Sequence, residues 1–248
     1  MLKQIKFNEK YKTYFCTHPT AYAVVEKYAR VNFLNYIKKA REDIKNIVIV
    51  GGYTGSEIQE YLHLYPNSQI FVFEPHPRHY QILEKNYQNY PNVFTYKKAV
   101  SNETGVQTFY DVSGEGQSSL KKYQGDVFGS STKLIGSMQV ETIKLDDVEE
   151  LKGKDIDYLQ VDVQGGELLV LQGARKCLRN VRALMLECHT EDYIKLADKE
   201  PYKGQCYLPD LINYFQEIGI NIKCLYVGLD NVHGNGQGNS FWINSDLV

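Results

Sequence analysis

The chain alternates short apolar runs with segments of helical period. Ile47-Val48-Ile49-Val50 is a run of four β-branched residues that ends at Gly51-Gly52. A continuous apolar run of this length is the pattern of a strand buried on both faces. Gln69 to Glu74 is a second such strand and closes on an acidic residue. Asn92 to Lys97, Ile156 to Val163 and Arg182 to Cys188 read as the third, fourth and fifth. Residues 55–65, 76–89, 166–178 and 207–218 read as helices between and after them. Asn221 to Val227 and Gly238 to Ile243 then make a terminal antiparallel pair. Ahead of the first strand, Val24, Val25, Tyr28, Val31, Leu34 and Ile37 recur at helical spacing, which predicts a helix over 19–44.

Strands and helices in alternation specify a parallel sheet covered on both faces. Right-handed crossovers place the helices on its two sides. The middle breaks this rhythm. Val106 to Val112 and Gln139 to Leu145 alternate apolar and polar residues, and 124–137 is rich in Gly and Ser. Residues 105–145 are therefore expected to form a β-rich insertion with a mobile loop of the kind that covers active sites. The expected organisation is an N-terminal helical extension over 1–45 and one α/β domain over 46–248.

Composition narrows the function. A formal net charge of −2 over 248 residues argues against a nucleic-acid partner. Five cysteines, an odd number without any CxxC spacing, read as reduced thiols rather than a disulfide framework or a zinc site. No apolar run reaches the roughly 18 residues of a membrane span, and the first residues hold no apolar signal core. The expectation is a soluble, cytoplasmic protein.

In an open doubly wound sheet, ligands bind beyond the carboxyl ends of the strands. The first strand leads into Gly51-Gly52-Tyr53-Thr54-Gly55, where glycines allow a tight turn and close approach to a ligand. The second ends at Glu74, about 20 residues on, where a carboxylate can accept both hydroxyls of a ribose. That pair of signals suits either NAD or S-adenosylmethionine. Asp162 ends the fourth strand, and Glu187 and His189 end the fifth. These ends are expected to flank the first strand and to bring three ionisable groups into one crevice.

Six segments in order resemble the FkbM-family methyltransferases. They are Phe73-Glu74-Pro75-His76-Pro77 with Leu83-Glu84-Lys85-Asn86, Lys98-Ala99-Val100-Ser101 with Gly105, Ser118-Ser119-Leu120, Thr142 to Asp147, Asp162 to Glu167, and Leu171-Gln172-Gly173-Ala174. The resemblance runs from about Ile47 to Glu187. It implies a doubly wound, mostly parallel seven-stranded class I methyltransferase sheet of Rossmann-like form. It places S-adenosylmethionine over Gly51, Gly52, Tyr53 and Gly55, with Glu74 and Pro75 at the ribose and Ala99 beside the adenine. Ser119 and Asp162 complete the implied cofactor set. Family members usually methylate an oxygen of a sugar or a secondary metabolite, so the implied acceptor is a small molecule or glycan. The chain departs from the family in its first turn, where Ile49 replaces an acid and Tyr53 an asparagine, and Gln164 stands in place of a glutamate.

On this reading His189 is the general base, oriented by Glu187 or Asp162. A divalent metal held by those three residues is a lesser alternative, and no metal is assigned. Two rivals stay open. One is an NAD-dependent oxidoreductase, for which the third close glycine and a Tyr-x-x-x-Lys pair are missing. The other is a non-catalytic binding module, which the altered first turn favours. The N-terminal helix either caps the pocket or forms a homodimer.

Overall fold

The computed structural model describes residues 5–8, 13–17, 33, 44–125, 132–190, 200–230 and 237–248. Two strands open the chain, β1 (Ile5–Asn8) and β2 (Thr13–Thr17). The alternating region follows: β3 (Asn46–Val50), α1 (Ile58–Leu64), β4 (Gln69–Phe73), α2 (Pro77–Tyr87) and β5 (Val93–Tyr96). The insertion carries β6 (Ala99–Val100), β7 (Gly105–Val112) and β8 (Leu134–Ile143). Then come β9 (Ile156–Val161), α3 (Glu167–Gln172), β10 (Val181–His189), α4 (Leu208–Glu217), β11 (Ile222–Asp230) and β12 (Gln237–Asn244).

Among the described residues the main sheet has the order β1-β2-β11-β12-β10-β9-β3-β4-β5. Seven strands from β5 to β11 form the expected doubly wound α/β sheet, parallel except where β12 runs antiparallel to both neighbours. The order reverses at β3, with β4 on one side and β9 on the other. That reversal is where a doubly wound sheet opens a crevice.

Alternate residues of each strand feed two cores. Val48, Val50, Phe71, Phe73, Leu159 and Val161 pack with Val170, Leu171, Leu211 and Phe215 of α3 and α4 on one face. Ile47, Ile49, Ile70, Val72 and Tyr158 pack with Ile58, Tyr61, Leu83 and Tyr87 of α1 and α2 on the other. Each such fully buried aliphatic or aromatic side chain contributes about 1.5–3 kcal/mol. This two-sided burial explains why the strands read as continuous apolar runs.

Three differences from the sequence reading matter. The first 17 residues supply β1 and β2, which extend the sheet beyond β11, so the segment 1–45 is not helical throughout. The helix predicted over 19–44 lies outside the described residues except for Phe33 and Ile44. Both are buried, and Phe33 meets Phe241 edge-on at 5.2 Å. The helix expected over 166–178 stops at Gln172. A Cβ on Gly173 would lie 2.0 Å from the Ser101 carbonyl oxygen, so the backbones touch there and the chain turns away. The insertion is β-rich as expected, with a second sheet of order β6-β8-β7, and its Gly/Ser loop falls partly outside the described residues.

Candidate active site

The site begins with the glycine turn after β3. The N–H groups of Gly51 and Gly52 both donate to the Phe73 carbonyl at 3.0 Å, which clamps the turn against the end of β4. Asp162 N–H donates to the Val50 carbonyl at 3.0 Å on the other side. Gly51 sits at φ +88°, and a Cβ there would lie 1.8 Å from the Asp162 carbonyl oxygen. A Cβ on Gly52 would strike Val72 at 2.3 Å. Tyr53, at φ 47°, holds the left-handed conformation that asparagine adopts more readily.

A cavity of about 470 Å³ opens beyond these strand ends. Gly51, Gly52, Tyr53, Glu74, Pro75, Ala99 and Asp162, all expected at the site, line it. Lys98 and Val100 flank Ala99 on its wall. The second sheet and its loop add Phe109, Glu115, Gly116, Gln117, Ser118 and Leu120.

Glu74 is held by backbone. One carboxylate oxygen accepts the Tyr53 N–H and the other the His76 N–H, both at 2.8 Å. Burial nevertheless pushes its carboxyl up to about 7, against the pull of those two amides. Each oxygen keeps acceptor capacity toward the cavity. Beyond Glu74, the His76 and His79 rings stack at 4.2 Å, and His76 Nε2 approaches the Asp111 carboxylate at 3.4 Å. His79 lines the cavity, and burial, reinforced by His76 and Arg78, lowers its pKa to about 4, so it is neutral near pH 7.

At the other wall, the amide of Gln164 donates to Asp162 Oδ1 at 2.7 Å and to Glu187 Oε2 at 2.8 Å. Gln164 sits at φ 58°, and the Tyr202 hydroxyl donates to the Gln117 carbonyl at 2.7 Å and lies 3.2 Å from the Gln164 amide oxygen. Burial raises the pKa of Asp162, assisted by the neighbouring Glu57 carboxylate and opposed by hydrogen bonds with Glu187 and Gln164. An amide between two carboxylates supplies two donors where a glutamate would add a third negative charge. Beneath the loop, Glu167 accepts the N–H groups of Val163 and Gly165 at 3.1 and 3.2 Å and fixes its shape.

Four expectations change. β9 lies between β3 and β10, so the ends of β9 and β10 do not both flank the first strand. Asp162 reaches the cavity, and Glu187 and His189, both buried near the end of β10, do not line it. Ser119 is a brace: its hydroxyl meets the Val163 and Gln164 carbonyls at 3.0 and 2.9 Å and ties the insertion to the loop after β9. Gly55 faces protein rather than the cavity, its carbonyl accepting the Tyr87 hydroxyl at 2.6 Å. Among the described residues no group of three acidic, histidine or cysteine side chains is arranged to hold a metal ion. Sequence reasoning passed over Glu57, Gln160 and Tyr61, whose one visible signal was a glutamine inside an otherwise apolar run.

A reversal of strand order at a glycine turn, with a backbone-held acid just past the next strand, is the arrangement in which doubly wound α/β folds bind nucleotides. The methyltransferase FkbM domain matches residues 50–219, and the chain belongs to that family. It is 28% identical over 176 residues to the 2-O-methyltransferase NoeI of Sinorhizobium fredii, covering 67% of this chain and 69% of that protein. Among solved structures, the magnesium protoporphyrin IX methyltransferase of Synechocystis PCC 6803 is similar with TM-score 0.49 and 8% identity, over 90% of this chain and 81% of that one. The precorrin-6y C5,15-methyltransferase of Geobacter metallireducens gives 0.46 and 14%, over 92% and 93%. The chain is an S-adenosylmethionine-dependent methyltransferase. Its cavity fits that cofactor: Glu74, beside the glycine turn on the cavity wall, offers a buried acceptor to a ribose. Among the described residues no helix is long and apolar enough to cross a membrane.

Proposed function

We propose that the chain methylates a hydroxyl oxygen of a sugar or other small polyhydroxylated acceptor. One observation carries the reading: Asp162, the carboxylate beside the cradle, faces a cavity wall of hydrogen-bonding groups, Glu115, Gln117, Ser118 and Lys98, with Phe109 as an apolar face. Such a mixture suits hydroxyl recognition. The name of the similar rhizobial protein, a 2-O-methyltransferase, agrees with it.

Bound S-adenosylmethionine supplies a methyl group activated by its sulfonium. The protein's part is to place an acceptor oxygen in line with that methyl, and positioning of this kind is worth about 7–11 kcal/mol in favourable cases. Glu74 and Pro75 fix the nucleoside end and Ala99 borders the base. Asp162 receives the acceptor's proton as the oxygen–carbon bond forms. Its raised proton affinity makes it the stronger base, and base catalysis contributes about 10²–10⁴-fold. Gln164 and Glu187 orient it, and His189 acts behind them rather than on the acceptor.

The test joins titration to product analysis. Isothermal titration with S-adenosylmethionine and S-adenosylhomocysteine, with NAD as control, should show binding of the first two only. Incubation with methyl-labelled cofactor and a panel of sugars should then give an alkali-stable methyl ether. Label appearing on nitrogen or carbon would overturn the oxygen assignment. Absence of cofactor binding would favour a non-catalytic binding module.

A further inference from the structure

The geometry points to Glu57 as the residue that receives the α-ammonium of S-adenosylmethionine, standing in for the acid that Ile49 displaces. The inference deepens the cofactor reading above and rests on it.

The argument starts inside β9. Every residue of that strand is buried, and Gln160 is 3% exposed. A buried amide is costly unless both of its ends are matched. Gln160 is matched at both ends: its oxygen accepts the hydroxyl of the fully buried Tyr61, and its nitrogen donates to the Glu57 carboxylate. Gln160 lies 99 and 103 positions from Tyr61 and Glu57, and the three side chains form one relay that leads from the core to the cavity. Both Glu57 and Gln160 line that cavity.

Register explains the substitution. Ile49 of β3 lies directly opposite Gln160. Ile49 is 2% exposed and packs into the apolar core rather than lining the cavity. The polar function at this place in the sheet has moved across one strand, to Gln160, and outward through it to Glu57.

Polarity along the crevice agrees. β4 and β9 lie on opposite sides of β3. Glu74, on the β4 side, is engaged by the Tyr53 and His76 amides at the ribose end. Asp162 is engaged by Gln164 on the acceptor wall. Glu57, tied to β9 through Gln160, is a second carboxylate on that side of the glycine turn, where the amino-acid end of a ligand extending away from Glu74 arrives. Lys98, the cavity's lysine, is paired with Glu141 at 3.2 Å on the far wall.

The test titrates wild type, Glu57→Gln and Gln160→Met with three ligands: S-adenosylmethionine, S-adenosylhomocysteine and 5′-methylthioadenosine. The last keeps the nucleoside and thioether and lacks the amino acid. Loss of a charged hydrogen bond should weaken the first two ligands about tenfold to a hundredfold in Glu57→Gln, with methylthioadenosine unchanged. Gln160→Met should show the same selectivity with a smaller loss. If Glu57→Gln fails to fold, Glu57→Asp replaces it, and a selective loss is again expected because the shorter chain withdraws the charge. Unchanged S-adenosylmethionine affinity overturns the inference and leaves the cofactor reading standing. An equal loss for all three ligands also overturns it, by assigning Glu57 a structural role. Wild type that binds none of the three removes the cofactor reading and this inference together.

Discussion

Strand β9 carries a carboxylate near each end, and the two are treated in opposite ways. At its start, Asp157 is 1% exposed and fully engaged. One oxygen accepts the N–H groups of Lys45 and Asn46 at 2.7 and 2.9 Å, and the other takes the Arg182 guanidinium, which also reaches Asp155 at 3.0 Å. Just past its other end, Asp162 has an amide and a second carboxyl group for hydrogen-bond partners and lines the cavity. Charge at the first end is neutralised within the protein. At the second, burial raises the proton affinity of a carboxyl group that lines the cavity, where a ligand can bring its own positive charge or a proton. The sheet is therefore stabilised at one edge and reactive at the other.

Breaking the neutralised end should have the largest effect. Arg182→Met leaves Asp157 buried without its cation and should cost about 3–5 kcal/mol of stability, read by chemical denaturation. Its cofactor affinity in the folded state should match wild type. At the reactive end, Asp162→Asn should lower turnover about 10²–10⁴-fold while S-adenosylmethionine still binds. His189→Ala, measured alongside, should lose less. The reverse ranking would return the base to His189.

A third measurement uses pH. Burial raises Glu74 from 4.5 to about 7, so its contribution to stability is present below 4.5 and is lost as pH rises through about 7. Glu167, also raised to about 7, adds to that loss. With Glu74 proposed to hold the ribose through its ionised form, cofactor affinity should climb through the same range in which stability falls. Glu74→Gln should weaken S-adenosylmethionine about tenfold to a hundredfold and flatten the affinity profile, with the Glu167 part of the stability profile left in place. The smallest effect is expected from Tyr202→Phe. It removes the hydroxyl that joins Gln117 to Gln164 and should cost about 0.5–1.5 kcal/mol, with Asp162 still functional.

Much of this was legible in the residues. The strands of the main sheet and their two-sided burial followed from apolar runs, and the glycine turn and Glu74 followed from their separation. What stayed hidden depended on register and reach. Glu57 and Gln160 are 103 positions apart, and only the pairing of β3 with β9 brings them together. His189 shares a strand end with Glu187, yet strand order sets β10 one place away from the crevice's first strand. Ser119 matched a family segment, and the contact of its hydroxyl with the loop after β9 shows only in the fold. β1 and β2 escaped notice because they are short, and β2 joins the sheet through β11, near the chain's far end.

The contact between Gly51 and the Asp162 carbonyl separates two kinds of motif letter. With 1.8 Å available to a Cβ, position 51 is dictated by backbone steric exclusion, and no ligand is needed to explain it. Positions 49 and 53 carry side-chain chemistry, which another residue can supply from elsewhere in the sheet. A lineage can thus exchange the chemical letters of this turn while the steric ones stay frozen, and inherited shape outlasts the particular side chains that first used it.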